Sequence, residues 1–163
     1  MRLLKKDTPS IFIRIGDYGD YDYINEHIKV EKKYGYVWLL KTGKSINSAY
    51  LKNIIEQKGG ILLKTSAKKG NKFYFADLLS VDISLEKEKA FPNYYKEYLY
   101  YNGYELNDVK KSGFWFKIKN IREISEKEVR SFIVASNEKP IYDYAVKTRV
   151  VHMYIHNDKD LKI

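Results

Sequence analysis

The chain contains no cysteine among its 163 residues. Disulfides, thiolate metal sites and thiol catalysis are removed together, and a reducing, cytoplasmic setting is the expectation. Proline (3) and methionine (2) are scarce. No apolar run approaches the ~18–20 residues that a bilayer span needs, so no membrane partner is expected. Met1–Asp7 lacks the apolar core of a signal peptide. Carboxylates are in short supply: 21 Asp and Glu stand against 30 Lys and Arg, giving a formal net charge of +9. That excess on a small domain favours polyanions, nucleic acid first, although lysine-rich surfaces also serve solubility.

Chemistry-bearing motifs are also thin. Lys41-Thr42-Gly43-Lys44 lacks the glycine spacing of a phosphate loop, and no local Ser/His/Asp set stands out. A metal site would have to start from His152 and His156. On a strand they lie about 13 Å apart, and no third ligand accompanies them. His27 falls inside a helical stretch and reads as solvent-facing. No metal, cofactor or catalytic residue is assigned.

What the chain has in excess is tyrosine: 16, beside 7 Phe and 2 Trp. Tyr is amphipathic and settles at core edges with its hydroxyl wet. An aromatic surface of this kind suits stacking of flat ligands such as nucleobases. A coding bias toward Lys, Ile, Asn and Tyr is the plain alternative.

In chain order, Ser10–Ile15 reads as a strand and Gly16–Asp20 as a turn. Tyr21–Lys33 reads as a helix with Asp20 as N-cap and Gly35 as stop. Val37–Lys41 is a buried strand. A helix follows, capped by Ser45, with Ile46, Tyr50, Leu51, Ile54 and Ile55 on one face and Gly59-Gly60 at its end. Ile61–Thr65 and Lys72–Ile83 form a hairpin across Lys68-Lys69-Gly70-Asn71, with a bulge near Ala76–Leu79. Ser84–Ala90 is a charged connector, and Tyr94–Tyr101 a short Tyr-rich helix between Pro92 and Gly103. Gly113–Ile124 alternates as a strand with a slip before Ile121. Ser125 and Glu128 form a capping box for a helix to about Val134. Tyr144–Ile155 reads as the final strand.

This order lacks the regular alternation of a doubly wound sheet. The expected fold class is α+β: a single domain, 1–163, with a small curved mixed sheet or open barrel and helices packed on it.

From about Tyr36 to Ile155 the chain resembles the PUA-like superfamily, in its EVE and YTH branches. The resemblance rests on Val37-Trp38-Leu39-Leu40-Lys41-Thr42, on the Ile61–Leu79 hairpin, and on Gly113–Ile124 with the helix and Asn137–Pro140 after it. Residues 36–156 would be the core, and 1–35 an added strand and helix. The resemblance implies a nucleic-acid reader that flips one base, plain or modified, into an aromatic pocket, as in modification-dependent restriction, with DNA ahead of RNA. Lys41 and Thr42 would line that pocket, with Gly43, Lys44 and Asn47 nearby. Thr42–Ser48 carries no aromatic where the YTH branch places a Trp. The cage would have to recruit Tyr50, or Tyr and Phe residues from Phe91–Tyr104, of which Tyr94, Tyr95 and Tyr98 are the candidates.

Trp38 reads either as core or as pocket wall, and Trp115 as exposed or as lining the sheet's other side. Lys44, Lys68, Lys69, Lys147 and Arg149 are the candidate phosphate contacts, the last two along the final strand. Two other readings stay open. One is a protein-binding counter-defence module with a protein partner in a restriction or defence system; the other is an enzyme acting on nucleic acid.

Overall fold

The computed structural model describes residues 1–42, 46–66, 70–82, 90–101, 103 and 113–163, with side chains in the last stretch from 115 onward. Strand alternation builds its core. Ile11 and Ile13, Val37 and Leu39, Ile61 and Leu63, and Phe116 and Ile118 all face one buried cluster. Their sequence neighbours face outward, Phe12 and Leu62 into a second cluster, Trp38, Leu40 and Trp115 into a third. With a period of two, one strand supplies two faces, so each of these strands is buried on both sides.

The elements are β1 Leu3–Leu4, β2 Pro9–Arg14, α1 Tyr23–Tyr34, β3 Val37–Thr42, α2 Ser48–Glu56, β4 Gly60–Lys64, β5 Phe73–Asp82, α3 Tyr94–Tyr101, β6 Gly113–Ile124, α4 Glu126–Val129, β7 Phe132–Val134, α5 Ile141–Lys147, β8 His152–Asn157 and β9 Leu161–Lys162. The fold is α+β. Seven strands form a mostly antiparallel mixed sheet in the order β3-β6-β5-β4-β2-β8-β7, which is not closed into a barrel, and β1 pairs with β9. β2 runs parallel to β4, with Ile11 opposite Ile61. The stretch read as an addition, 1–35, therefore supplies a strand to the middle of the sheet.

The sheet is bent where the sequence pattern falters. β5 and β6 shift register between Phe75 and Asp77 and again between Leu78 and Ser80. On β6, Asn120 takes a positive φ of 55°, which Asn tolerates better than most residues. This accounts for the slip before Ile121. Gly59 and Gly60 permit a close approach of chain segments. A Cβ on Gly59 would sit 1.7 Å from the Pro9 carbonyl oxygen, and one on Gly60 2.3 Å from that of Ala76.

Several sequence expectations need correction. Asp22, not Asp20, caps α1, accepting from Asn25 N–H, while Gly35 ends it in the left-handed region at φ 82°. The cap of α2 is Asn47; Ser45 lies outside the described residues. The capping box at Ser125 and Glu128 forms, but the helix lasts one turn before Phe132–Val134 joins the sheet as β7. Ile141–Lys147 is helical, and only His152–Asn157 is strand, so Lys147 and Arg149 do not alternate along one. The Lys68-Lys69 turn, the segment 84–89 and residues 104–112 lie outside the described residues. Among those described, no helix is long and apolar enough to cross a membrane.

Candidate functional site

An edge strand exposes backbone groups that must find partners. β3 is such an edge, and the segment leading through α3 covers it. Trp38 N–H donates to the Ala90 carbonyl at 2.7 Å, and Leu40 N–H to Tyr95 Oη at 3.2 Å. α3 is held in this position by aromatic packing, with Phe91 and Tyr95 against the fully buried Trp115. Trp115 thus lies on the face opposite Phe116.

Behind Tyr95 the hydrogen bonds have a fixed direction. His27 Nδ1 lies 2.7 Å from the Tyr23 carbonyl oxygen, which can only accept, so Nδ1 carries the proton. His27 Nε2 must then accept from the Tyr95 hydroxyl. Tyr95 Oη in turn accepts from Leu40 N–H and from Tyr23 Oη–H at 3.0 Å. His27 is fully buried, not solvent-facing, and burial pushes its pKa down to about 4. Burial likewise raises the pKa values of Tyr23 and Tyr95. The wall is neutral and internally hydrogen-bonded.

In front of that wall is a cavity of about 250 Å³, between the end of β2, the Gly16–Tyr18 turn, the end of β3 and α3. β2 and β3 stand four places apart in the sheet order yet line the same space, a direct consequence of the sheet's curvature. Tyr18, Tyr23, Tyr94, Tyr95 and Tyr98 contribute to the lining. Tyr18 stacks on Tyr94 at 5.7 Å between ring centres and meets Tyr98 edge-on at 5.5 Å. Tyr21, 42% exposed, stacks on Tyr94 at 4.9 Å. The Tyr94 hydroxyl is buried and makes no hydrogen bond of ordinary geometry among the described residues.

The polar lining is sparse and unevenly charged. Lys41 shares its face with Val37 and Leu39 and is only 5% exposed. Its Nζ donates to the Thr42 carbonyl at 2.7 Å, and desolvation lowers its pKa. Thr42 Oγ1 lies 3.2 Å from Tyr98 Oη. Arg14 donates through Nε to the Val150 carbonyl at 3.0 Å and through Nη2 to those of Ala145 and Thr148 at 2.7 and 2.8 Å. It thereby secures the exit of α5, where a cation is favoured by the helix carbonyls. Asp17 accepts Tyr23 N–H at 3.1 Å. Neither Lys41 nor Arg14 has a carboxylate within ion-pairing distance among the described residues. Among those residues no group of His, Cys, Asp and Glu is arranged to hold a metal.

Of the pocket candidates read from the sequence, Lys41, Thr42, Tyr94, Tyr95 and Tyr98 line this cavity. Three are placed elsewhere. Trp38 is buried with Leu40, Phe91 and Trp115, with Lys117 Nζ 5.8 Å from its ring. Asn47 caps α2, and its N–H donates to Tyr154 Oη at 2.9 Å. Tyr50 packs on Tyr154, its hydroxyl shared between the Ser10 and Ile155 carbonyls. Lys147 ends α5 near Asp143, and exposed Arg149 lies two residues before Val151, a lining residue. Lys44, Lys68 and Lys69 lie outside the described residues.

Arg14, Asp17, Tyr18 and Tyr23 are the charged and aromatic lining residues that sequence reading missed. One signal was there to be read. Leu-Leu-Lys-Thr occurs twice, at Leu39–Thr42 and Leu62–Thr65, each time closing a strand. Both lysines are buried, and each ammonium donates to the carbonyl of the Thr that follows. No protein-family model matches the chain, and searches of curated proteins and of solved structures give no match.

Proposed function

We propose that the protein is a non-catalytic nucleic-acid reader that holds one unstacked base, plain or modified, in the cavity between the end of β3 and α3. The observation that carries the reading is a tyrosine-walled cavity of about 250 Å³ containing a buried lysine without a carboxylate partner among the described residues. That size lies just below the roughly 300–1,000 Å³ of sites for drug-sized ligands, and so suits a single ring system. Removing a base from its stack costs a few kcal/mol, and each aromatic stacking partner returns about 1–3 kcal/mol. The chain's net charge of +9 supplies the phosphate attraction.

On this reading the curved sheet is a PUA-like open barrel with its cleft between β2 and β3, and DNA is the first substrate to test. Fluorescence anisotropy with labelled single-stranded and duplex oligonucleotides, at low and moderate salt, tests it. Affinity should fall steeply with salt, and Tyr98→Ala should weaken binding on the order of tenfold. Affinity indifferent to both changes overturns the reading.

A further inference from the structure

The aromatic wall of the cavity continues past its rim. Tyr94 stacks on Tyr18, a cavity residue, and on Tyr21, which lines a second and more open groove of about 410 Å³ between α1 and the start of α3. Tyr94 lines both spaces and so is the partition between them. We infer that the groove holds the nucleotide next to the one in the cavity, so that the ligand is a single strand laid across Tyr94, rather than a lone base or a duplex. The inference rests on the base-holding reading of the cavity and adds the path and strandedness of the chain that carries the base.

Helical spacing builds one bank of the groove. Lys29 and Lys33 stand four residues apart on α1 and share a face, with Glu26 one turn earlier and Tyr34 at the helix end. Glu26 pairs with Lys29 at 3.1 Å. Lys33 has no carboxylate within ion-pairing distance among the described residues, and its Nζ lies 5.2 Å from the centre of the Tyr34 ring. The other bank is Phe91-Pro92-Asn93, where the chain enters α3. Tyr21 and Tyr34 are each 42% exposed, although both are large rings. Tyr21 is set in place by its N–H, which donates to the Tyr18 carbonyl at 3.0 Å.

The lysines alone would be an ordinary solvated helix face. Their meeting with two exposed rings, in a groove that shares a wall with the cavity, is what points to a strand. Unpaired bases stack on aromatic side chains while cations follow the backbone, and the groove carries two ammonium groups against one carboxylate. A duplex keeps its bases stacked on one another and gives neither ring a face, so it would meet only the lysines. A lone nucleotide would fill the cavity and leave the groove unused.

The test is anisotropy with a labelled single-stranded oligonucleotide of mixed sequence, competed by its unlabelled form, by the same sequence as a duplex, and by the four 5′-mononucleotides. The single strand should compete at least about tenfold better than either of the others, the worth of one further stacked base. Tyr34→Ala, at an exposed position, should weaken the single strand about tenfold while mononucleotide competition stays within about twofold. Lys33→Ala should lower the slope of log affinity against log salt by about 0.7, the share of one phosphate on a single strand. Mononucleotides or duplex competing as well as the single strand overturn the track. So does binding that Tyr98→Ala weakens but that Tyr34→Ala and Lys33→Ala leave unchanged, and in either case the reader stands. No binding by any oligonucleotide overturns both.

Discussion

Two regions of this molecule draw cations in from solvent, and they treat them in opposite ways. At Asp77 on β5, one carboxylate takes Arg2 at 2.9 Å, Arg122 at 3.5 Å and the Asn120 amide at 2.8 Å. The node ties the N-terminus and the β6 bulge to the centre of the sheet. Burial alone would raise the Asp77 pKa, but the bonds from Asn120 and Arg2, with the charges of Arg2 and Arg122, hold it below the usual carboxylate value. At the cavity, Lys41 and Arg14 meet only backbone carbonyls among the described residues, as does Lys64 on β4. Desolvation lowers the pKa of all three, with the Arg14 charge adding to the effect at Lys64. At the Asp77 node the charge is matched. Where it lines the cavity it is left short of an acceptor, which is what a site for a carbonyl-bearing or anionic ligand requires.

Acid separates the two regions most strongly. His27, behind the cavity wall, has a folded pKa of about 4 against an ordinary value of 6.5. Between those values the unfolded chain binds the extra proton. Stability is therefore full above about pH 6.5 and is lost as pH falls toward 4, by about 3 kcal/mol. Urea unfolding across that window should show the loss, and His27→Gln should flatten it. The Asp77 node has the same sign but acts lower, where its own depressed carboxyl takes up a proton. An unchanged midpoint from pH 7 to 4.5 would break this separation.

Removing the matched carboxylate should have the next largest effect. Asp77→Ala strands two guanidinium groups that are only partly exposed, and about 2 kcal/mol of stability should go, read from the denaturation midpoint. Oligonucleotide affinity should stay within about twofold, because the node stands apart from the cavity lining. A variant that lost affinity and kept its stability would reverse the roles assigned to the two regions.

How far the sequence disclosed all this depended on whether a feature was local. β3, α2 and the β4–β5 pair were readable because apolar spacing and turn residues act over a few positions. So was the bulge on β5, since a lost alternation is itself the signal. The segment after Ser125 misled because a capping box marks where a helix begins and not how long it runs. After Arg130 the run Phe132-Ile133-Val134 gains more by pairing with β8. Tyr144–Ile155 looks extended by composition, yet Ile141 and Ala145, one helical turn apart, both bury, and α5 forms after Pro140. Tertiary packing overrode local preference at both places.

The site divides in the same way. Lys41 and Thr42 were named from the family resemblance at the end of β3, and the α3 tyrosines as the aromatics concentrated in one irregular stretch of chain. Lys41's burial was also implied by its position, two residues after Leu39 on a core-facing strand row. Arg14, Asp17 and Tyr18 arrive from the far side of a curved sheet, and no local pattern encodes that curvature. The lysines expected at phosphates were chosen for charge alone, and charge in a sequence carries no address.

The smallest change in stability should accompany the most informative substitution, Lys41→Met, which keeps the length of the side chain and removes the unmatched ammonium. Thermal melting and oligonucleotide affinity should be measured on the same preparation. With the cavity as a ligand site, stability holds or rises by up to about 1 kcal/mol while affinity falls about tenfold or more. A protein that melts earlier and binds as tightly as before would show that Lys41 serves the fold, and the cavity would lose its claim to a ligand.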